Sequence, residues 1–336
     1  QTEEFSAGGA QKEENLIRTR EKKIGQDLSA KKKECEAFLS KSRRGYFEAL
    51  TRAHVPFDII LDHSLTREGL SKYKTLVLPD ATCLSDETAE IIKQYVADGG
   101  NLLGTYEAGF YDEIGNPSNK LMEVLGIASV EGAFPVTNGE NYLQASTDHL
   151  GYKQGVMIER APHVLKIRGT SDSKMLEQLL NPVEGDYLPL NGISSYPGVI
   201  THSYGKGKVA YFAEALGPFC NAGLIAAEDR VCKMLEELSG GFTLQVEAPR
   251  TVTVERFRQK DSNRVILHLV NNSVDGRPVR EFLPALDIRI RVESSDQPRK
   301  VFALREGEKL ESSYADGVLS IALPKLTQYE VIVLEY

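Results

Sequence analysis

The chain has no tryptophan, four cysteines, six histidines, no excess of basic over acidic residues and no long apolar run. Each shortage removes a class of function. Sugar clefts commonly use indole as a stacking surface, so its absence weighs against a self-contained carbohydrate site; Tyr106, Phe110 and Tyr111 are the aromatic substitutes in the most structured stretch. Cys35, Cys83, Cys220 and Cys232 form no CxxC pair and have no histidine at ligand spacing, which excludes a zinc motif and fits a reducing, cytoplasmic compartment. The net charge of −8 excludes nucleic acid as the main partner, because a phosphate-binding surface needs a basic excess. No segment reaches membrane-spanning length, and the charged start shows no signal peptide. A first residue of Gln rather than Met fits a processed product or a piece of a longer chain.

What is present centres on Thr75–Asp112. Leu76-Val77-Leu78 is an apolar run stopped by Pro79-Asp80. Ser85 followed by Asp86-Glu87 is a helix start, and Ile91, Ile92, Tyr95 and Val96 recur at helical spacing up to Gly99-Gly100. Leu102-Leu103 is the next apolar run, leading into the turn Gly104-Thr105-Tyr106-Glu107-Ala108-Gly109. A crossover helix between two wholly apolar strands predicts a parallel sheet covered on both faces, with ligand groups gathered beyond the C-terminal strand ends.

The length suits two or three domains. Residues 1–33 are polar and read as a linker or tail; residues 34–241 form a doubly wound, mostly parallel α/β domain; residues 242–336 form a small all-β sandwich. Within the α/β part, Cys35–Leu39 reads as a short strand, Phe57–Leu61 as a buried strand, and Leu121–Leu125 as a helix ending at Gly126. From Val130 to Gly205, short β-like runs separated by Gly, Pro and Asn predict an antiparallel extension. Gly205-Lys206-Gly207-Lys208 is a hairpin turn rather than a phosphate loop, since a strand and not a helix follows it. Glu228–Leu238 is an amphipathic helix closed by Gly240-Gly241. Beyond it, six short strands with turn signals such as Asp261-Ser262-Asn263, Asp275-Gly276 and Asp316-Gly317 predict the sandwich.

The segment RRGYFEALTRAHVPFDIILDHSLTREGLSKYKTLVLPDATCLSDETAEIIKQYVADGGNLLGTYEAGFYDEIGNP resembles the β-galactosidase trimerisation domain, a class I glutamine amidotransferase-like fold. YGKGKVAYFAEALG resembles the last core strand of that domain, and ILHLVNNSVDGRPVREFLPALDIRIRV with PKLTQYEVIVLEY resembles the terminal β-sandwich of the same bacterial proteins. The resemblance implies a homo-oligomer, a trimer by the family's description, working beside a catalytic (β/α)₈ barrel on carbohydrate. The 42 residues before Arg43 are far too few for a barrel of about 250 residues. Amidotransferase chemistry needs a cysteine on the turn after the Leu102-Leu103 strand; Tyr106 or Glu107 stands there instead, which implies that the chemistry is lost.

Three functional readings follow. The first is a non-catalytic assembly module that shapes a carbohydrate active site. The second is a hydrolase of glycosides or small amides with a strand-end site that uses Glu107 and a histidine brought in by the fold, Tyr106, Glu107, Tyr111 and Asp112 being the binding residues. The third is a small-molecule-binding domain at the same edge. No cofactor or metal is expected. Cys83 reads as a half-buried structural thiol, Cys220 and Cys232 as packing residues, His202 and His268 as structural, and His54, His63, His149 and His163 as scattered with no acid or nucleophile at a motif spacing, which leaves any pairing to the fold.

Overall fold

Residues 33–52 form one helix, α1, in the computed structural model, which describes residues 33–185, 187–274 and 281–336. The strand expected at Cys35–Leu39 is therefore helical. That run has no β-branched residue, its Glu, Ala and Leu favour helix, and of residues 33–41 only Phe38 is partly covered. The polar stretch at 1–33, Lys33 apart, and the Asp275-Gly276 turn lie outside the described residues.

Phe57–Leu61 is also not a strand. The segment makes no ladder, and Ile59 and Leu61 are 70% and 59% exposed. Its composition suits a strand, but β pairing needs a neighbour, and the edge strand β1 (Thr75–Leu78) pairs only with β2 (Asn101–Thr105). Between Phe57–Leu61 and β1 lies the short helix α2 (Arg67–Leu70), capped by the Thr66 hydroxyl. Between β1 and β2 runs α3 (Asp86–Asp98), where Ser85 accepts from Thr88 N–H at 3.1 Å and Gly99 closes the helix with φ 120°.

The antiparallel extension follows as β3 (Ile127–Ala133), β4 (Tyr142–Ala145), β5 (Met157–Glu159), β6 (Leu165–Gly169), β7 (Lys174–Leu180) and β8 (Ile193–Tyr204). The hairpin partner of β8 is β9 (Gly207–Phe212). Its turn packs on the end of α3: a Cβ on Gly205 would lie 2.5 Å from Ala97 Cα, and φ there is +58°. The main sheet has the order β1-β2-β9-β8-β7-β4-β5. Only β1, β2 and β9 run parallel; the other four ladders are antiparallel, so "mostly parallel" holds for the functional half of the sheet alone. Leu121–Leu125 forms successive turns rather than a helix, with Leu121, Val124 and Leu125 fully buried.

Helices α4 (Leu216–Asn221) and α5 (Ile225–Ser239) complete this half. Alternation along the strands divides the core. Leu102, Val209 and Tyr211 face α2 and α3, whereas Leu103, Ala210 and Phe212 face α1, α4 and α5. Both faces of the parallel strands are thus covered, as their continuous apolar runs require.

The remaining strands make two stacked antiparallel sheets. One has the order β10-β13-β17-β16, from Leu244–Glu247, Ala285–Glu293, Val318–Leu326 and Glu311–Ala315. The other has β11-β12-β18-β14-β15, from Val252–Gln259, Arg264–Asn271, Tyr329–Glu335, Lys300–Ala303 and Glu308–Lys309. Leu267, Leu269, Ile288, Ile290, Ile321 and Ile332 fill the space between them. His54 Nε2 lies 2.8 Å from the Val252 carbonyl, and Arg250 pairs with Glu228 at 2.8 Å, joining this part to α1 and α5. Among the described residues no helix is long and apolar enough to cross a membrane, and no His/Cys/Asp/Glu group is arranged to hold a metal.

Candidate functional site

The C-terminal ends of β1, β2 and β9 meet at Asp80, Thr105, Tyr106 and Phe212. Tyr106 is the first residue beyond β2 and has φ 50°, a left-handed conformation that costs a non-glycine residue energy. Its N–H donates to the Phe212 carbonyl at 2.8 Å, and the Tyr106 carbonyl accepts from the Tyr211 hydroxyl. These bonds hold a sharp strand-to-turn elbow of the kind that displays a nucleophile. The structure decides between the two sequence candidates: Tyr106 occupies the elbow, and Glu107 is one residue beyond it.

The elbow's phenol is no nucleophile at neutral pH. Burial, with Glu107 and Asp80 nearby, pushes its pKa up to about 12. His163 lies beside it, ring centroids 6.4 Å apart, and Phe38 packs against both rings at 6.1 and 5.4 Å. Burial lowers the pKa of His163, and among the described residues no acid bonds to its ring. Nucleophile, base and orienting acid are therefore not assembled among the described residues.

The acid most tightly built into this edge is Asp80, which the sequence reading treated only as a strand stop. It is fully buried, with φ 52°. Ser42 Oγ donates to Oδ2 at 2.5 Å and Thr105 Oγ1 donates to Oδ1 at 2.7 Å. Burial raises its pKa to about 6, against the opposing pull of those hydroxyls, and Glu107 adds repulsion. A carboxyl with a raised native pKa keeps its proton while the unfolded chain has lost it. Its contribution to stability is complete below about pH 4 and disappears as pH rises through about 6. Holding the proton up to about pH 6 instead of losing it in the ordinary carboxylate range amounts to roughly 3 kcal/mol. Asp80→Asn is expected to flatten that part of the stability–pH curve, measured by urea unfolding from pH 3.5 to 7.5; parallel curves for wild type and variant would refute it.

The other predicted residues separate. Glu107 is half-buried, its carboxyl carries no hydrogen bond among the described residues, and burial raises its pKa. Tyr111 bonds through its backbone to Thr82 and Leu84, and Glu107 is the main cause of its raised pKa. Asp112 is occupied in its own loop, accepting from the N–H groups of Ile114 at 3.0 Å and Asn116 at 2.8 Å. Cys83 is exposed, not half-buried, because its loop turns it outward beside Tyr111. Cys220 and Cys232 are buried, which raises both thiol pKa values, Cys232 to about 12.

One buried cluster has no counterpart in the sequence reading. Arg230 of α5 is 0% exposed and pairs with Glu177 of β7 and, at 2.7 Å, with Glu214 after β9. Glu177 also meets His149 Nε2 at 2.8 Å, and Glu214 accepts from Ala161 N–H at 2.8 Å. The fold thus brings His149 an acid that lies 28 residues away in sequence. Burial opposes the charge on Arg230 and Glu177, but their mutual attraction outweighs it and favours the ionised pair. The available signal was position: Arg230 falls on the stripe of α5 that carries Ala227, Val231, Met234 and Leu235.

This fold and edge have close parallels. The family model of the β-galactosidase trimerisation domain matches residues 17–228, well over half of the chain. The chain belongs to that family. The β-galactosidase BbgII of Bifidobacterium bifidum is 27% identical over 177 residues, covering 51% of this chain and 24% of the relative. The β-galactosidase GalA of Bacillus licheniformis is 24% identical over 239 residues, covering 70% and 31%. The chain therefore spans only 24% and 31% of the length of these two curated relatives. Among solved structures, an α-L-fucosidase isoenzyme of Paenibacillus thiaminolyticus superposes with a TM-score of 0.72 at 19% identity, covering 88% of this chain and 45% of that one. A β-galactosidase of Bacillus circulans sp. alkalophilus gives 0.58 at 17% identity, covering 86% and 36%. The trimerisation-domain match includes the elbow, α1 and α4, and stops within α5; the sandwich lies beyond it.

Proposed function

We propose that the chain is the non-catalytic C-terminal portion of a β-galactosidase-like glycoside hydrolase. An amidotransferase-like α/β unit (34–241) and a β-sandwich (242–336) hold copies together as a homo-oligomer, a trimer by the family's description, in the cytoplasm. They also wall the mouth of a (β/α)₈ barrel that binds carbohydrate. The observation that carries this reading is the elbow at Tyr106: its backbone is strained, while its side chain is a phenol with a raised pKa. A surface for assembly is available within the family match. The connection between β7 and β8 and the start of β8 hold Tyr187, Leu188, Leu190 and Ile193 in solvent, each at least half exposed.

A second reading has one observation in its favour. Glu107 is half-buried with a raised pKa, the condition a general acid needs. The two part on an assay over nitrophenyl glycosides and small amides. The assembly reading expects no turnover by wild type or Glu107→Gln; turnover abolished by Glu107→Gln would establish the hydrolase instead.

A further inference from the structure

The outer face of the sheet β11-β12-β18-β14-β15 carries an aromatic floor. His268 on β12 and Tyr329 on β18 have ring planes 15° apart and centroids 5.9 Å apart, and His268 Nδ1 lies 2.6 Å from the Tyr329 hydroxyl. A hydrogen bond joining the ring edges at so small an angle sets the rings side by side, not face on face. Together they present one flat surface. Phe257 on β11 stands against it at 82°, with centroids 5.4 Å apart. At the far end the Arg305 guanidinium lies 5.9 Å from the Tyr329 ring centroid and donates to the Tyr329 carbonyl at 2.9 Å. A groove of about 320 Å³ continues from Tyr329, with Arg305, Thr327 and Gln328 among its polar walls. Phe257 is 51% and Tyr329 37% exposed, on a face that an ordinary sandwich gives to polar side chains.

We propose that this face binds a neutral hexose. A flat aromatic floor matches the C–H face of a pyranose ring, an upright Phe257 fixes one edge, and the groove supplies donors and acceptors for the hydroxyl rim. The guanidinium over Tyr329 disfavours a cationic ligand. Along the groove Arg305 and Lys325 are matched by Glu306 and Glu330, so it carries no net charge to attract an anion such as phosphate. Choosing a sugar over other flat neutral ligands rests on the glycoside-hydrolase reading above. Tyr and His here take the place of the missing indole.

The test is affinity electrophoresis of the full chain through gels holding β-1,4-galactan, mannan or xyloglucan, with mobility read against polymer concentration. Wild type is expected to be retarded on at least one polymer. Phe257→Ala and Tyr329→Ala should each weaken association by about tenfold, and Glu107→Gln should leave it unchanged. Phe257 is half exposed, so its replacement spares the core and decides the matter even where Tyr329→Ala folds poorly. Equal mobility on every gel, or retardation that survives Phe257→Ala, overturns the site. Light scattering on the same samples separates the two proposals. An oligomer that is not retarded sinks only the sugar site, and a retarded monomer sinks only the assembly reading.

Discussion

Arg230→Met is expected to destabilise the protein by about 3–5 kcal/mol, seen as a lower urea midpoint with an unchanged slope. The guanidinium is fully buried between Glu177 and Glu214, both 0% exposed. Methionine fills much of the volume but removes the guanidinium the two carboxylates share, and neither can reach water. The cost comes from that lost partner charge rather than from lost packing. Adding Glu177→Gln and Glu214→Gln should therefore restore most of the loss, because the amides keep acceptors for His149 and the Ala161 N–H while removing the charge. A single variant within 1 kcal/mol of wild type would show that the three groups are not ionised together. If the triple variant is as unstable as the single one, packing carries the effect instead.

Gly45→Ala is the second large effect, expected at about 3 kcal/mol or more, the upper end of overpacking costs. A Cβ on Gly45 would sit 1.8 Å from the Gly217 carbonyl oxygen and 2.8 Å from the Asn221 nitrogen. Both are backbone atoms of α4, so no side-chain rotation relieves the overlap, and α1 or α4 must move. Movement there would drag Ser42 away from Asp80 and loosen the strand-end edge. Alanine normally stabilises a helix interior relative to glycine, so a gain in stability would contradict the packing outright. In thermal melts of both variants, Arg44→Ala, one residue away and exposed, should stay close to wild type while Gly45→Ala falls well below it.

The parts of the fold carried by local pattern were legible. Ser85, the periodic residues of α3 and Gly99 mark that helix wherever it packs, and Leu76–Leu78 and Leu102-Leu103 are apolar on both faces because helices cover both. The sandwich strands were readable because one face of each is dry and the turns between them carry Asp, Asn and Gly. What failed depended on a neighbour. Phe57–Leu61 has the composition of a strand and no strand beside it, while Cys35–Leu39 has the length of a strand and the residues of a helix. That the turn after β2 holds no cysteine was visible at once, but placing Tyr106 rather than Glu107 at the elbow needed the backbone angle. Asp80, Ser42 and Thr105 are 38 and 25 residues apart in sequence, and Arg230 is 53 residues from Glu177. No spacing rule joins groups that only the sheet order brings together.

The assembly reading stands most directly on molar mass in solution. Size-exclusion chromatography with multi-angle light scattering, over a hundredfold range of protein concentration, should give a self-associated species, three copies by the family's description. Leu188→Asp combined with Leu190→Asp should shift that mass toward a single chain without lowering the melting temperature of the fold. A wild-type mass of one chain at every concentration would contradict the account.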